Sequence, residues 1–480
     1  MFSVRTTVTY TDLITFFASL KIIRQKTRRQ FTICELMNSV TMKLSTVHKD
    51  SVINVCNDDF NMRDLLRLKT NSSGREYKDD PFYICNLDDV VRKYWKFQEH
   101  LPQVQPFFAV KCNPDPVIIA LLAYLGVNFD CASKGEIKAV LDLGVDPERI
   151  IFANPCKQNS FIKYANEKNV KKMTFDNEAE LYKIKQHFPD AELVIRLKVD
   201  DSKSSCQFGI KFGATLESAE KLLNIAKELG LNVIGVSFHV GSGCYDASLY
   251  YDAVKLSATV FEQAENLGFN FTLLDIGGGF PGVEGGKISF ELTASQLNLG
   301  IEKFFPPERN VRIIAEPGRY FVASAFTLTC NVTSIREVST NKNSPPGFMY
   351  YLNDGVYGSF NCILFDHQSP TPLTLHETDH CPRYKCSLWG PTCDSMDCIS
   401  KDSYLPKLMI GDWLYFENMG AYTIAPSIKF NGFKPPVVFY MCTQSMYEES
   451  MSPSDVVASV KKCGISGICG KTGILESVVC

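Results

Sequence analysis

Short apolar runs recur along the middle of the chain, each closed by a polar residue and followed by a stretch with helical spacing. The runs fall at 106–110, 127–131, 150–153, 172–175, 192–197, 232–238, 272–276 and 312–315. Continuous runs of this length, without alternation, suit parallel strands buried on both faces. The helical segments between them include 115–125, 134–143, 178–187, 215–229 and 247–267, often closed by glycine, as at Gly126, Gly144, Gly230 and Gly268. Eight strands alternating with helices over roughly 240 residues match the count of a (β/α)8 TIM-like barrel.

After about residue 323 the helical spacing stops. Apolar runs at 326–332, 348–352, 361–365, 408–416 and 436–441, separated by Pro, Gly, Asn and Asp, predict a second, mainly antiparallel β domain. The stretches 341–347 and 367–385 read as loops. The division expected is an unmatched N-terminal extension (1–42), an N-terminal part of the β domain (43–86), the barrel (87–322), the C-terminal β domain (323–450) and a mobile or weakly docked tail (451–480). Residues 1–41 are rich in Arg and Lys and read as an extension ahead of a second start at Met42, with an organelle-targeting presequence as the alternative.

Composition narrows the class. A hydrophobic content of 45%, a charged content of 21% and a net charge of -3 describe an ordinary globular protein of 480 residues. No motif for nucleic acid and no apolar run of membrane-spanning length is present. The 18 cysteines fall at irregular spacings, several inside strand-like runs (Cys131, Cys330, Cys362), which points to free thiols in a reducing compartment and so to the cytoplasm. The densest group, His376, His380, Cys381, Cys386, Cys393 and Cys398, is not read as a metal site.

The chemistry lies at the ends of the apolar runs. Lys111, Asp130, Asn154, Asp176, Arg196, His239 with Ser242, Gly277 to Gly279, and Glu316 with Arg319 all close strands on the side where barrels carry their active sites. A lysine at the end of a buried strand is desolvated, which favours the neutral amine and makes it a fit nucleophile for a Schiff base. Three glycine-rich turns, at 239–243, 277–282 and 316–319, let backbone N–H groups converge on an anion. A Schiff-base lysine beside a phosphate cradle suggests pyridoxal 5'-phosphate. Glu316 would then keep the ring nitrogen protonated. His239 is read either as stacking on the ring or as a buried, hydrogen-bonded histidine.

The motifs PFFAVKCN, FDCASKGEI, IIFANPCK, SFHVGSGC, LDIGGGFPG, AEPGRYFV, NDGVYGSFNCILFD, WGPTCDSMD and GDWLYFENMGAYT make residues 43–450 resemble the eukaryotic ornithine decarboxylases, pyridoxal enzymes with an alanine-racemase-like barrel. The resemblance implies decarboxylation of L-ornithine to putrescine and CO2, the first step of polyamine biosynthesis. Lys111 would carry the cofactor, with Ser242, Gly279, Gly318, Arg319 and Tyr422 around its phosphate, Gly278 also binding the cofactor, Glu316 on the ring nitrogen, His239 stacked, and Asp130 and Arg196 near the lysine. Asp366 and Asp394, with Phe365 beside them, would face the substrate's distal amine, and Cys393 would protonate Cα. The resemblance further implies a homodimer with shared active sites and docking of antizyme on residues 159–183.

Phe365 stands where the family usually has tyrosine, the tail lacks the acidic, Pro/Ser-rich destruction signal of vertebrate members, and residues 1–42 have no counterpart. Two alternatives stand beside this reading. One is a non-catalytic antizyme inhibitor of the same fold, in which positions matching Asp130, Arg196 or Cys393 are lost, whereas all three are present here. The other is a decarboxylase of lysine, arginine or diaminopimelate; for the last, the acidic pair Asp366 and Asp394 is the wrong charge for a second carboxylate.

Overall fold

In the computed structural model, residues 6–8, 53–71, 79–338, 346–375 and 380–446 are described. Most of residues 1–42, the whole of the 451–480 tail and His376 lie outside that set. Two compact units emerge, and 59–442 is the larger. Within the smaller, Thr6–Val8 pairs antiparallel with Ile53–Cys56, and the Ser445 amide donates to Asp58 Oδ1 at 2.8 Å.

The larger unit holds a closed barrel of eight parallel strands: Val104–Ala109, Asn128–Cys131, Ile150–Phe152, Lys172–Phe175, Glu192–Arg196, Asn232–Ser237, Leu273–Asp275 and Arg312–Ala315. They pair in chain order and close where Ile313 meets Val104. Every apolar run identified as a barrel strand forms one. Phe107, Ile151, Val194, Leu273 and Ile314 fill the interior, all 2% exposed or less. The packed interior leaves chemistry to the loops beyond the strand ends.

Local chemistry starts the helices where the sequence pattern places them. Asp115 accepts from the amides of Val117 and Ile118 at 2.9 and 3.2 Å, with Pro116 at the first helical position, and so begins Pro116–Tyr124. Ser133 caps Lys134–Asp142, while Glu136 reaches back to the Ala132 amide at 2.6 Å. The other oxygen of Asp115 accepts from Tyr440 at 2.8 Å, which ties this barrel helix to the last strand of the neighbouring sheet.

That sheet is mixed. The long strand Phe326–Val338 lies antiparallel to Phe82–Asn86, Trp413–Phe416 and Gly347–Leu352. Phe82–Asn86 is parallel to Val437–Thr443, and Gly347–Leu352 is parallel to Arg383–Trp389. Three expectations change. The run 361–365 is helical, because Asp354 captures the Gly355 and Ser359 amides at 2.8 and 3.1 Å and starts a turn that continues through Cys362–Phe365. A four- or five-residue apolar run does not distinguish strand from helix by itself. Of 408–416, only Trp413–Phe416 is strand. The expected 367–385 loop contains the short strand Leu373–Thr374 and the start of Arg383–Trp389.

Candidate active site

The first barrel strand ends at Ala109, and the chain turns through a single 3-10 turn, Val110–Cys112, that carries Lys111. The neighbouring strand places Asp130 opposite Ala109, and its carboxylate meets the Lys111 ammonium in a close ion pair. The Lys111 side chain keeps 35% of its surface exposed, through the cavity at the barrel mouth, while the Asp130 side chain is fully buried. Burial opposes the lysine's charge, but Asp130, Glu316 and Tyr422 outweigh it and hold its pKa above the ordinary value.

Glu316 follows the last strand and is 6% exposed. Its amide donates to Gly277 O at 2.6 Å, joining the two glycine turns. Its carboxyl faces that of Asp275, at the end of the seventh strand. Burial pushes both above the usual carboxylate range; Asp275 and Asp130 add to the rise at Glu316, and Asp130 adds to it at Asp275, where the hydrogen bonds from Gly277 and Glu316 work the other way. Gly277 N satisfies one oxygen of Asp275 at 2.9 Å. Glu316 Oε1 is buried without a hydrogen-bond partner among the described residues. A carboxylate oxygen left so on a cavity wall fits a ligand that brings a cationic N–H.

His239 accepts from the Gly241 amide through Nδ1 at 3.0 Å, which assigns the ring proton to Nε2. Burial, with Arg196 and Lys111 adding to it, keeps the imidazole neutral by lowering its pKa well below the ordinary value. The Phe208 ring braces it edge-on, with centroids 4.9 Å apart. At the same cavity two glycine turns meet Ser242 and Arg319, an arrangement suited to an anion. Gly279 takes φ +97°, and a Cβ there would sit 2.5 Å from Gly241 O, so only glycine allows the turns to approach this closely. Arg319 donates to Ser242 Oγ at 3.1 Å and lies 5.2 Å above the Tyr422 ring. Tyr422 comes from the β domain, its amide bonded to Cys112 O at 2.9 Å beside the lysine turn.

Lys111, His239, Ser242, Gly279, Glu316, Gly318, Arg319 and Tyr422 thus line one cavity. Gly278 sits just behind it, its carbonyl accepting from Tyr250 at 3.2 Å. Arg196 ends the fifth strand with its guanidinium 5.2 Å from the Phe212 ring, and acts on His239 and Glu316 by charge. Asp366 is 4% exposed and bonded to Arg319, whereas Phe365 next to it is 68% exposed. Cys393 is exposed, with its amide on Asn431 Oδ1 at 3.1 Å, and Asp394 accepts from the Tyr357 hydroxyl. Neither residue lines the cavity of its own chain. Asp275 and Phe208 join the site without having been singled out in the sequence, and Tyr357 holds Asp394 outside it. Asp275 had a signal, a charged residue inside the apolar run LLDI, but the glycines after it drew the reading.

A family model described as pyridoxal-dependent decarboxylase, pyridoxal binding domain, matches residues 87–323. Antizyme inhibitor 2 of Xenopus laevis is 50% identical over 408 residues, covering 83% of this chain and 89% of that one. Ornithine decarboxylase of Rattus norvegicus is 48% identical over 403 residues, covering 82% and 87%. Among solved structures, the arginine decarboxylase of Paramecium bursaria Chlorella virus superposes with a TM-score of 0.74 at 37% identity, over 79% of this chain and 100% of that one.

Proposed function

The chain belongs to the pyridoxal-dependent decarboxylases of the ornithine decarboxylase type, and on that premise we propose that it converts L-ornithine to putrescine and CO2, the first step of polyamine biosynthesis. The observation that carries the reading is Lys111 in one cavity with an unpartnered Glu316 oxygen and the Ser242–Arg319 cradle. Pyridoxal phosphate supplies, when bound, a ring that accepts the electron pair left by the departing carboxylate.

This chain's residues do the rest. Lys111 would hold the cofactor through its amine. Ser242, Gly279, Gly318, Arg319 and Tyr422 would hold the phosphate, with Gly278 also on the cofactor side, and Glu316 would keep the proton on the ring nitrogen. Neutral His239 would pack on the ring face without adding charge. Asp130 and Arg196 balance charge around the lysine. Asp366 and Asp394 accept from the substrate's distal ammonium, with Phe365 alongside, and Cys393 returns a proton to Cα. Cys393 and Asp394 stand outside their own chain's cavity, which supports a homodimer whose two sites each borrow them from the other subunit. We place the protein in the cytoplasm; no helix among the described residues is long and apolar enough to cross a membrane.

A second reading has its own support. A relative named antizyme inhibitor 2 is 50% identical, so a non-catalytic role on the same fold competes with turnover. The likeness to an arginine decarboxylase structure supports another basic amino acid as substrate. One experiment separates the three. Purified protein with pyridoxal phosphate is offered ornithine, lysine and arginine in turn, and CO2 release is measured. Ornithine is expected to be the preferred substrate; release from none of them, with cofactor bound, would favour the inhibitor.

A further inference from the structure

Lys93 lies in the middle of helix Leu87–His100, on the face it shares with Val90 and Phe97, and is 3% exposed. Covering the barrel needs only apolar residues at such a position. Lys93 instead makes two bonds that converge on the anion cradle from behind. Its ammonium donates to Gly282 O at 2.6 Å, and its own carbonyl accepts from the Tyr320 hydroxyl at 3.0 Å, with the ammonium 5.1 Å from the centre of the Tyr320 ring.

Gly282 closes the glycine turn that begins at Gly277, and Tyr320 follows Arg319 directly. The two turns touch: a Cβ at Gly282 would lie 2.4 Å from Arg319 O and 2.8 Å from Arg319 Cγ. The Lys93 ammonium thus reaches the 277–282 turn directly and the Arg319 turn through the Tyr320 ring, and the contact between the turns is set to within the width of a methyl group. Burial pulls the Lys93 pKa down to about 8, with Asp89 and Glu284 supporting its charge and Arg92 and Lys96 opposing it. The fold keeps a desolvated amine where a hydrocarbon would pack.

We propose that Lys93 is a positioning residue for the cofactor's phosphate: from behind the barrel it locks the 277–282 turn onto the Arg319 turn and so sets the spacing of the walls that receive the phosphate. The inference rests on reading Ser242, Gly279 and Arg319 as those walls. It concerns cofactor affinity alone, whichever amino acid is decarboxylated.

The test compares two ligands that react with the same lysine and differ only in the phosphate. Cofactor-free wild type and Lys93→Met are titrated with pyridoxal phosphate and with pyridoxal, following the absorbance of the Lys111-linked ligand. In Lys93→Met the dissociation constant for pyridoxal phosphate is expected to rise at least about tenfold, as the loss of one charge-assisted hydrogen bond implies, while that for pyridoxal stays the same. Lys93→Arg, which keeps a donor, should recover part of the loss. Lys93→Gln, which keeps a donor without the charge, should show a smaller loss of the same kind, and decides the matter if Lys93→Met does not fold. Unchanged affinity for pyridoxal phosphate, or an equal loss for both ligands, overturns the inference. A wild type that links neither ligand overturns the cradle reading and this inference with it.

Discussion

One nitrogen of Arg319 donates to both oxygens of Asp366, at 2.6 and 2.8 Å, and also to Ser242 Oγ at 3.1 Å. The cation of the anion cradle is thus neutralised by a carboxylate from the β domain, and the Arg319 side chain is only 14% exposed. Removing one partner of a buried ion pair leaves the other uncompensated, at a cost of about 3–5 kcal/mol. Asp366→Ala is expected to melt well below wild type in the absence of anions. Millimolar phosphate should then raise its melting temperature more than that of wild type, because phosphate takes the empty place on Arg319. Equal phosphate shifts in the two proteins would mean that Arg319 is not open to anions.

The Glu316 and Asp275 pair makes a pH prediction. Burial raises both pKa values in the folded state, with the charge of Asp130 adding to each and that of Asp275 to Glu316. A raised carboxyl stabilises the fold below its unfolded pKa, and that contribution is lost as pH climbs through the folded value. Cofactor-free protein should therefore lose stability as pH rises from the ordinary carboxylate range toward neutrality. Denaturation midpoints between about pH 5 and 8 measure it. Glu316→Gln should flatten the decline, and so should bound cofactor, whose ring N–H pairs with the free oxygen. A slope unchanged in Glu316→Gln would place the titrating group elsewhere.

The exposed position of Cys393 makes a prediction about mixing. Lys111→Ala and Cys393→Ala are each expected to be nearly inactive alone. After subunit exchange, half the dimers are hybrids with one intact site of two, so activity should return to roughly a quarter of wild type if sites are shared across a two-fold axis. No recovery despite demonstrated exchange would put both residues in the same subunit's site.

The 159–183 segment gives a sharper test of antizyme docking than its lysine content suggests. Lys163 and Lys168 are exposed, but Lys172 is buried against Glu148 at 2.8 Å. Lys183 is bonded to buried Glu180 at 2.5 Å, and Lys157 holds the other Glu180 oxygen at 2.9 Å. Reversing Lys183 would set two carboxylates face to face, so Lys183→Glu is expected to lower the melting temperature whatever it does to binding. Lys163→Glu is the clean variant. It should weaken antizyme capture in a pull-down while leaving turnover and melting temperature unchanged, and undiminished capture would remove this face from consideration.

What the sequence made legible follows from distance along the chain. The barrel strands were readable because each is a short apolar run with a polar end, a local pattern. Lys111, Ser242, Glu316 and Arg319 were readable as a group because the fold gathers strand ends at one mouth. The Arg319–Asp366 pair was not, since no local pattern says that an aspartate after a helical turn in one domain will cap an arginine in the other. Asp275 was hidden inside its apolar run, and Lys93 reads locally as one more polar residue on an amphipathic helix. The helical turn at 362–365 was misread because Asp354, which starts it, acts from outside the apolar run.

The strand Phe82–Asn86 has a consequence in time. Its residues Phe82 to Cys85 are at most 1% exposed, yet its partners are Phe326–Thr329 on one side and Val437–Met441 on the other. At about 5–20 residues per second, a ribosome needs roughly tens of seconds to reach the first of these partners after making the strand. The barrel's own eight strands are all translated in that interval, and pair in order of appearance. Throughout it, an apolar strand with open edges waits at the front of the nascent chain. Production of this protein should therefore be sensitive to whatever shields Phe82, Tyr83 and Ile84 during synthesis.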